Sequence, residues 1–240
     1  MKINASIEAR MTSTRFPGKV LQEIGGKPAL QLMIERVIQS NKIDNLFVAT
    51  TSNTTDDPIV ELCESLNIKY FRGSEENVYK RVLEAHQFFE TDIIVELSGD
   101  CPLIDYRVID KGLDIFLNNA YQYVHTSCDY PLGMATEIFS LDTLQSISKE
   151  RELTQADIEH VTPYLYTSGL YKTFQFQPNE NEKMPELSVT LDTKEDYEVI
   201  KSVYQHFKNN TFTVEEIVAF AKQNPQIIAN NTHIKRKGLS

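Results

Sequence analysis

The chain has 240 residues, 41% hydrophobic and 24% charged, and its 24 lysines and arginines face 34 aspartates and glutamates for a formal net charge of −10. That balance speaks against a general nucleic-acid binder, whose surface is normally basic, and the length suits one α/β domain with a substantial core. No stretch approaches the roughly 20 apolar residues of a membrane helix and no signal-peptide apolar region opens the chain, so no membrane contact and a cytoplasmic address are expected.

Lys2 to Ala9 alternates Ile3, Ala5, Ile7 and Ala9 with polar residues and is predicted to be a strand. Directly after it comes Ala9-Arg10-Met11-Thr12-Ser13-Thr14-Arg15-Phe16-Pro17-Gly18-Lys19, three cations and three hydroxyls in one loop. Guanidinium forks pair with phosphate oxygens bidentately and lysine adds a point charge, so this loop suits a triphosphate. On an acidic chain, such a compact cationic loop marks a site for a small anion rather than a long phosphate track.

Leu30, Met33, Ile34, Val37 and Ile38 share one face of a helix starting near Pro28. Asn45–Thr51 is a predicted strand, Asp57-Pro58 opens a helix to about Asn67, Ile68–Phe71 is strand, and Glu75–Phe89 is helix. Asp92–Leu97 is a buried-type strand ending in Ser98-Gly99-Asp100-Cys101-Pro102. Strand–helix alternation at this spacing predicts an α/β fold, a mainly parallel sheet with helices on both faces, whose ligands lie beyond the carboxyl ends of the strands.

The middle third is less regular. Tyr121–Thr126, Ala135–Phe139, Lys172–Phe176 and Leu187–Leu191 are predicted strands, and 141–151 and 155–168 predicted helices. Thr193 caps a helix to about Phe207, and Thr213 with Glu216 forms a capping box for a helix ending before Pro225. Residues 1–225 are expected to form one domain in which 121–185 is a substrate-binding or dimerisation excursion, and 226–240, with Lys235, Arg236 and Lys237, a loose tail.

Asp100 and Asp192 each follow a predicted strand, where a carboxylate points into the ligand crevice. Two such carboxylates from distant parts of the chain can jointly hold Mg²⁺, which takes one or two carboxylates and completes its shell with water and phosphate oxygens. Asp196 fits a capping role with Thr193 better than a metal. His86 and His206 read as packing or surface residues, whereas His160, in Glu159-His160-Val161-Thr162-Pro163-Tyr164, stands at a proline-marked irregularity. Cys63, Cys101 and Cys128, odd in number and widely spaced, are expected to be reduced thiols.

With these residues in hand, the chain resembles the cytidylyltransferases of the spore coat polysaccharide biosynthesis protein F group and, more distantly, the CMP-sialate and CMP-Kdo synthetases. The resemblance covers most of residues 3–205. It is carried by Ala9 to Lys19 with Gly25-Gly26-Lys27-Pro28, Ala49-Thr50-Thr51, Asp57-Pro58-Ile59, Phe71-Arg72-Gly73-Ser74-Glu75-Glu76-Asn77-Val78, Gly99-Asp100-Cys101-Pro102-Leu103-Ile104-Asp105, Glu159 to Tyr164 and Leu191-Asp192-Thr193, in that order.

What the resemblance implies is a nucleotide-diphospho-sugar transferase fold, Rossmann-like and similar to the GT-A fold. It also implies Mg²⁺-dependent coupling of CTP to a sugar with release of pyrophosphate, for surface polysaccharide or glycoconjugate synthesis. The implied catalytic residues are Arg10, Lys19 and Asp100, and the implied metal ligands Asp100 and Asp192. Ala9, Arg10, Ser13, Thr14, Arg15, Lys19, Thr50, Arg72, Gly73, Ser74, Asn77 and Ser98 would surround the nucleotide, and Gly133, Glu137 and His160 the sugar. The acceptor would be an acidic nonulosonate-type sugar or a sugar phosphate, and the enzyme a homodimer. A glycosyltransferase on the same fold and a catalytically silent nucleotide-binding protein are the alternatives. Three positions depart from the family pattern: Glu8 where glutamine is usual, Thr12 where glycine is common, and Ala135 near a usual aspartate.

Overall fold

The computed structural model describes residues 1–234 and 236. In chain order the elements are β1 (Ile3–Glu8), a short hairpin of β2 (Glu23–Ile24) and β3 (Lys27–Pro28), α1 (Ala29–Val37), β4 (Asn45–Thr51), α2 (Asp57–Ser65), β5 (Lys69–Gly73), α3 (Val78–Phe88), β6 (Ile93–Ser98) and α4 (Tyr106–Leu117). There follow β7 (Tyr123–Thr126), β8 (Glu137–Ser140), α5 (Leu141–Glu150), α6 (Gln155–His160), α7 (Pro163–Thr167), β9 (Thr173–Phe176), α8 (Lys194–Phe207), α9 (Val214–Gln223) and α10 (Pro225–Thr232).

The main sheet runs β5-β4-β1-β6-β8-β7-β9. All neighbours pair in parallel except at β8, which is antiparallel to both β6 and β7. The mainly parallel sheet inferred from strand–helix alternation is therefore present. From β1 the chain winds outward through β4 to β5, then returns across β1 to β6, so the order reverses between β1 and β6. A crevice opens at such a switch point, because the loops leaving the two strands diverge.

The period-2 alternation of each strand sorts its side chains into two cores. Ile7, Val95, Leu97, Ile138 and Phe176 pack with α1, α2, α4, α8 and α9 on one face, while Ile94, Tyr123 and Phe139 pack with α3, α5 and α7 on the other. Three layers result, with β5 and β9 at the edges. Gly99 closes the seam at the switch point: its N–H donates to Glu8 O at 2.9 Å, and a Cβ there would lie 2.6 Å from the same oxygen.

Several expectations change. Leu187–Leu191 is extended but forms no named strand; it is held by a parallel bridge between Leu132 and Ser188 and by Leu191 N–H donating to Asp100 O at 2.7 Å. The helix expected over 155–168 breaks at Val161. Ile38, placed with the apolar face of α1, is 55% exposed, while Arg36 on the same helix is buried and donates to the carbonyls of Ile104, Asn210 and Phe212. Residues 226–232 are not loose: α10 packs against α8, and Arg236 pairs with Asp196. Lys235 and Lys237 lie outside the described residues.

Candidate active site

The cationic loop leaves β1 at Ala9 and returns through Gly18, whose φ of 70° suits glycine, into a single helical turn over Lys19–Leu21. Its neck is held by main-chain bonds from Ser13 and Gly18 to Met11 O, and by Met11 N–H donating to Asp56 Oδ1 at 2.7 Å. Asp56, fully buried, also takes the hydroxyls of Thr50 and Thr51. Sequence reasoning missed this residue. The signal was an aspartate just ahead of Asp57-Pro58; α2 does begin there, but Asp56 serves the loop while Asp57 pairs with Arg72 at 2.7 Å.

Across the crevice, Lys19 Nζ lies 3.0 Å from Asp100 Oδ2 and 2.7 Å from Asp192 Oδ1, and Arg15 reaches Asp192 Oδ2 at 3.0 Å. Ser98 Oγ donates to the other Asp100 oxygen at 2.7 Å. Burial alone would lower the proton affinity of Lys19, yet the two carboxylates raise it above its ordinary value. Burial likewise works to raise Asp100, and the Lys19 ammonium with its hydrogen bonds outweighs it and holds the carboxyl below its usual range. The two expected carboxylates thus meet at one point with the Lys19 ammonium between them, although only Asp100 follows a strand and Asp192 follows an extended segment outside the sheet.

Asp192 reaches this point through α8. Thr193 and Asp196 form the anticipated capping box, and Asp196 Oδ2 accepts from the N–H groups of both Asp192 and Thr193. The buried Asp196 is gripped by Arg236 at 2.7 and 2.8 Å and by Asn231 Nδ2 at 2.7 Å, so the chain's last described turn fixes the backbone of Asp192.

Of the other nucleotide candidates, Arg10, Thr14 and Arg15 are exposed on the loop and Ser13 half-buried. Thr50 is fully buried, its hydroxyl committed to Asp56. Arg72 spends its guanidinium on Asp57 and on the carbonyls of Thr51 and Asn53, and so shapes the end of β4. Asn77 caps α3 by accepting from Lys80 N–H, and Ser74 Oγ accepts from Asn77 N–H. Gly73 allows Arg81 to pass beneath it, where a Cβ would sit 2.9 Å from Arg81 Cγ. Thr12, a departure from the family pattern, donates to Glu75 at 2.5 Å and links the loop to the start of α3.

Beside the crevice a cavity of about 240 Å³ is lined by Glu8, Glu96, Ser98, Glu137, His160 and Thr162 among others. Glu137 and His160 line this cavity. Gly133 does not: its φ of 112° lets the 131–134 turn lie against Val189, whose carbonyl carbon a Cβ would approach to 2.9 Å. Val161, on the rim, has φ 66° and ψ −56° and sits at the centre of a tight γ-turn closed by Thr162 N–H to His160 O at 2.7 Å. That conformation is rare and strained for a β-branched residue, and it aims His160 and Thr162 into one space.

Comparison with known proteins agrees with this geometry. The model of a family described as "Cytidylyltransferase" matches residues 5–230. The chain is 33% identical over 225 residues to the spore coat polysaccharide biosynthesis protein SpsF of Bacillus subtilis, covering 91% of this chain and 93% of that protein. A solved cytidylyltransferase from Leptospira borgpetersenii superposes with a TM-score of 0.91 at 35% identity, covering 98% of this chain and 100% of that one. A CMP:2-keto-3-deoxy-manno-octonic acid synthetase, solved with CTP, shares the fold with a TM-score of 0.68 at 21% identity over 86% of this chain and all of its own.

Proposed function

Given that the chain belongs to the cytidylyltransferase family, we propose that it transfers the cytidylyl group of CTP to a hydroxyl of a sugar-type acceptor, in a route to surface polysaccharide or glycoconjugate. The acceptor oxygen attacks the α-phosphorus, the bond from that phosphorus to the β-phosphate bridging oxygen breaks, pyrophosphate leaves with the electron pair, and the hydroxyl proton is released. The observation that carries this reading is the meeting of Lys19 with Asp100 and Asp192 under the cationic loop, next to an open cavity.

Arg10, Arg15 and Lys19, all carried by the loop after β1, would neutralise triphosphate oxygens, with Arg forks suited to bidentate contact. Positioning and charge neutralisation are what such displacement needs from a protein. Asp100 and Asp192 converge on one cation-holding point, and the described residues contain no larger group of His, Cys, Asp and Glu that could hold a metal. Two carboxylates fit Mg²⁺, which draws its remaining ligands from water and phosphate oxygens. When bound it would neutralise charge on the α-phosphate. Lys19, relieved of bridging the two carboxylates, would turn to the phosphates.

Binding of CTP, UTP, ATP and GTP by calorimetry, with and without Mg²⁺, tests the reading. Tightest binding of CTP, strengthened by Mg²⁺ in the wild type but not in Asp100→Ala, is the expected result. Equal binding of all four nucleotides, or a Mg²⁺ effect that survives Asp100→Ala, would overturn it.

A further inference from the structure

A second cavity, of about 450 Å³, opens between the β2–β3 hairpin, α1 and the C-terminal half of α8. The hairpin turns on Gly25 and Gly26, whose φ values of 60° and 87° suit a two-residue turn with both central residues left-handed. The floor is apolar: Ile24, Leu32 and Tyr204 line the cavity and are buried. The rim carries Lys27, Lys201 and Lys208, and no carboxylate lines it. On a chain of net charge −10, this is a local reversal of sign. Lys27 is held at 2.8 Å by Glu35, which stands outside the lining. Lys201 and Lys208 form no ion pair among the described residues, and Lys201 Nζ lies 5.6 Å from the centre of the Tyr197 ring.

The rim is fixed by its own hydrogen bonds. α8 ends at Lys208, which takes the left-handed conformation, φ 55° and ψ 18°, where glycine is the usual choice and a side chain is strained. That turn brings residues 208–210 to the border of the cavity. Asn210 is locked there: its Nδ2 donates to Leu32 O at 2.9 Å and to Glu35 Oε2 at 3.2 Å, and its Oδ1 accepts from the Tyr204 hydroxyl at 2.9 Å. The cavity is therefore formed before any ligand enters, as small-molecule sites usually are. It is also remote from the transfer centre. Asp192 and Thr193 stand at one end of α8 and Lys208 at the other, about 20 Å away along its 14 residues.

We propose that this cavity is a second ligand site, one that binds an organic phosphate: a phosphate monoester carried on a flat, apolar body. Lys201 and Lys208 supply two ammonium groups to the phosphate, which is close to a dianion at neutral pH, and Ile24, Leu32 and Tyr204 cover the body. Lysine binds phosphate as a point charge, without the fixed geometry of a guanidinium fork. The apolar floor adds burial that inorganic phosphate cannot gain. The volume falls within the roughly 300–1,000 Å³ of small-molecule sites. A cation does not fit, since no lining residue carries negative charge. The motif Gly25-Gly26-Lys27-Pro28 thus places its lysine on this rim and not beside Asp100 and Asp192. The inference does not depend on the cytidylyl-transfer reading, which gives this cavity no role.

Calorimetry on the full chain tests the proposal with 1-naphthyl phosphate as probe and 1-naphthol and inorganic phosphate as its two halves, each with and without CTP and Mg²⁺. The expected result is binding of 1-naphthyl phosphate tighter than about 1 mM, about tenfold or more tighter than either half, and unchanged by CTP. Lys201→Gln with Lys208→Gln should weaken it about tenfold or more, as loss of a charged hydrogen bond predicts. Lys201→Arg with Lys208→Arg should keep it, and Lys222→Gln, at an exposed lysine of α9, should leave it unchanged. Lys208→Gln alone, read in parallel, covers the case in which the double variant does not fold. No binding of the probe at about 1 mM, equal binding of 1-naphthol, displacement of the probe by CTP, or binding undiminished in the variants overturns the proposal. Equal weakening by Lys222→Gln overturns it as well, because it would show a general attraction to lysines.

Discussion

At the scale of single residues, charge decides most of what the protein can do. Among the described residues Lys19 alone touches both Asp100 and Asp192, so Lys19→Ala leaves the two carboxylates facing each other, with Arg15 on Asp192 only, and removes one proposed phosphate contact. The rate of pyrophosphate release is expected to fall by ~10²–10³, the usual effect of removing one charge-stabilising donor; an undiminished rate would contradict the role. His86 and Glu8 make opposite predictions about stability against pH. Burial depresses His86 to about 3 from 6.5, so the folded state refuses a proton that the unfolded chain takes up. Its contribution is complete above pH 6.5 and is lost as pH falls below that value, by about 1.4 kcal/mol per unit. Glu8, raised from 4.5 to about 8, keeps a proton in the fold that the unfolded chain gives up, so its contribution is lost as pH rises through that window. Urea denaturation of His86→Leu and Glu8→Gln from pH 5 to 8 checks both. Relative to wild type, the first should gain stability towards acid and the second towards alkali. That Lys19, Asp100 and Asp192 share one crevice was legible in the sequence, because each follows a strand or an extended segment and so lies at the same end of the sheet. The role of Asp56 was not, because a buried aspartate that braces a loop looks like any helix-start residue. Arg72, expected beside the nucleotide, also holds Asp57 and two carbonyls, and those contacts could not be foreseen, since main-chain acceptors leave no trace in side-chain types.

Elements were readable where a local rule fixes them. The boxes Thr193/Asp196 and Thr213/Glu216 are both present, because a hydroxyl and a carboxylate three residues apart satisfy each other's backbone donors whatever surrounds them. The sequence marks an irregularity ahead of Pro163 but not its form, since only tertiary contacts force Val161 into a γ-turn. Leu187–Leu191 alternates like a strand, yet it bridges to the 131–134 turn rather than joining the sheet, and it delivers Asp192 to the same place. The order of residues 226–232 and Arg236 is likewise tertiary: Asp196, the partner of Arg236, lies 40 residues away in sequence. Arg236→Ala removes two charged hydrogen bonds from a buried carboxylate that keeps Asn231 and Thr193, and should cost about 1.5–3 kcal/mol in urea denaturation. Because Asp196 holds the backbone of Asp192, the same variant should weaken Mg²⁺-dependent CTP binding more than CTP binding without Mg²⁺. An unchanged ratio would show that α10 supports the fold alone.

For the whole molecule, the alternating pattern predicts a mainly parallel sheet but says little about where β7, β8 and β9 join it. Those strands are short, and one of them is antiparallel. Their placement matters, because β8 brings Glu137 alongside Glu96 and turns the polar ends of three strands into one cavity. In sequence these carboxylates are 41 or more positions apart, and although the family resemblance singles out Glu8 and Glu137, nothing local shows that they share a cavity with Glu96. The topology, with its reversal between β1 and β6, puts this cavity and the Lys19–Asp100–Asp192 cluster on the same crevice, as a two-substrate transfer requires. The most direct measurement is ³¹P NMR of CTP incubated with the enzyme, Mg²⁺ and a panel of sugar acceptors. Pyrophosphate and a cytidylyl phosphodiester appearing in equal amounts, only with CTP and an acceptor and lost in Asp100→Ala, are the predicted result. Hydrolysis to CMP without a phosphodiester under every acceptor, or product formation that survives Asp100→Ala, would contradict the central claim.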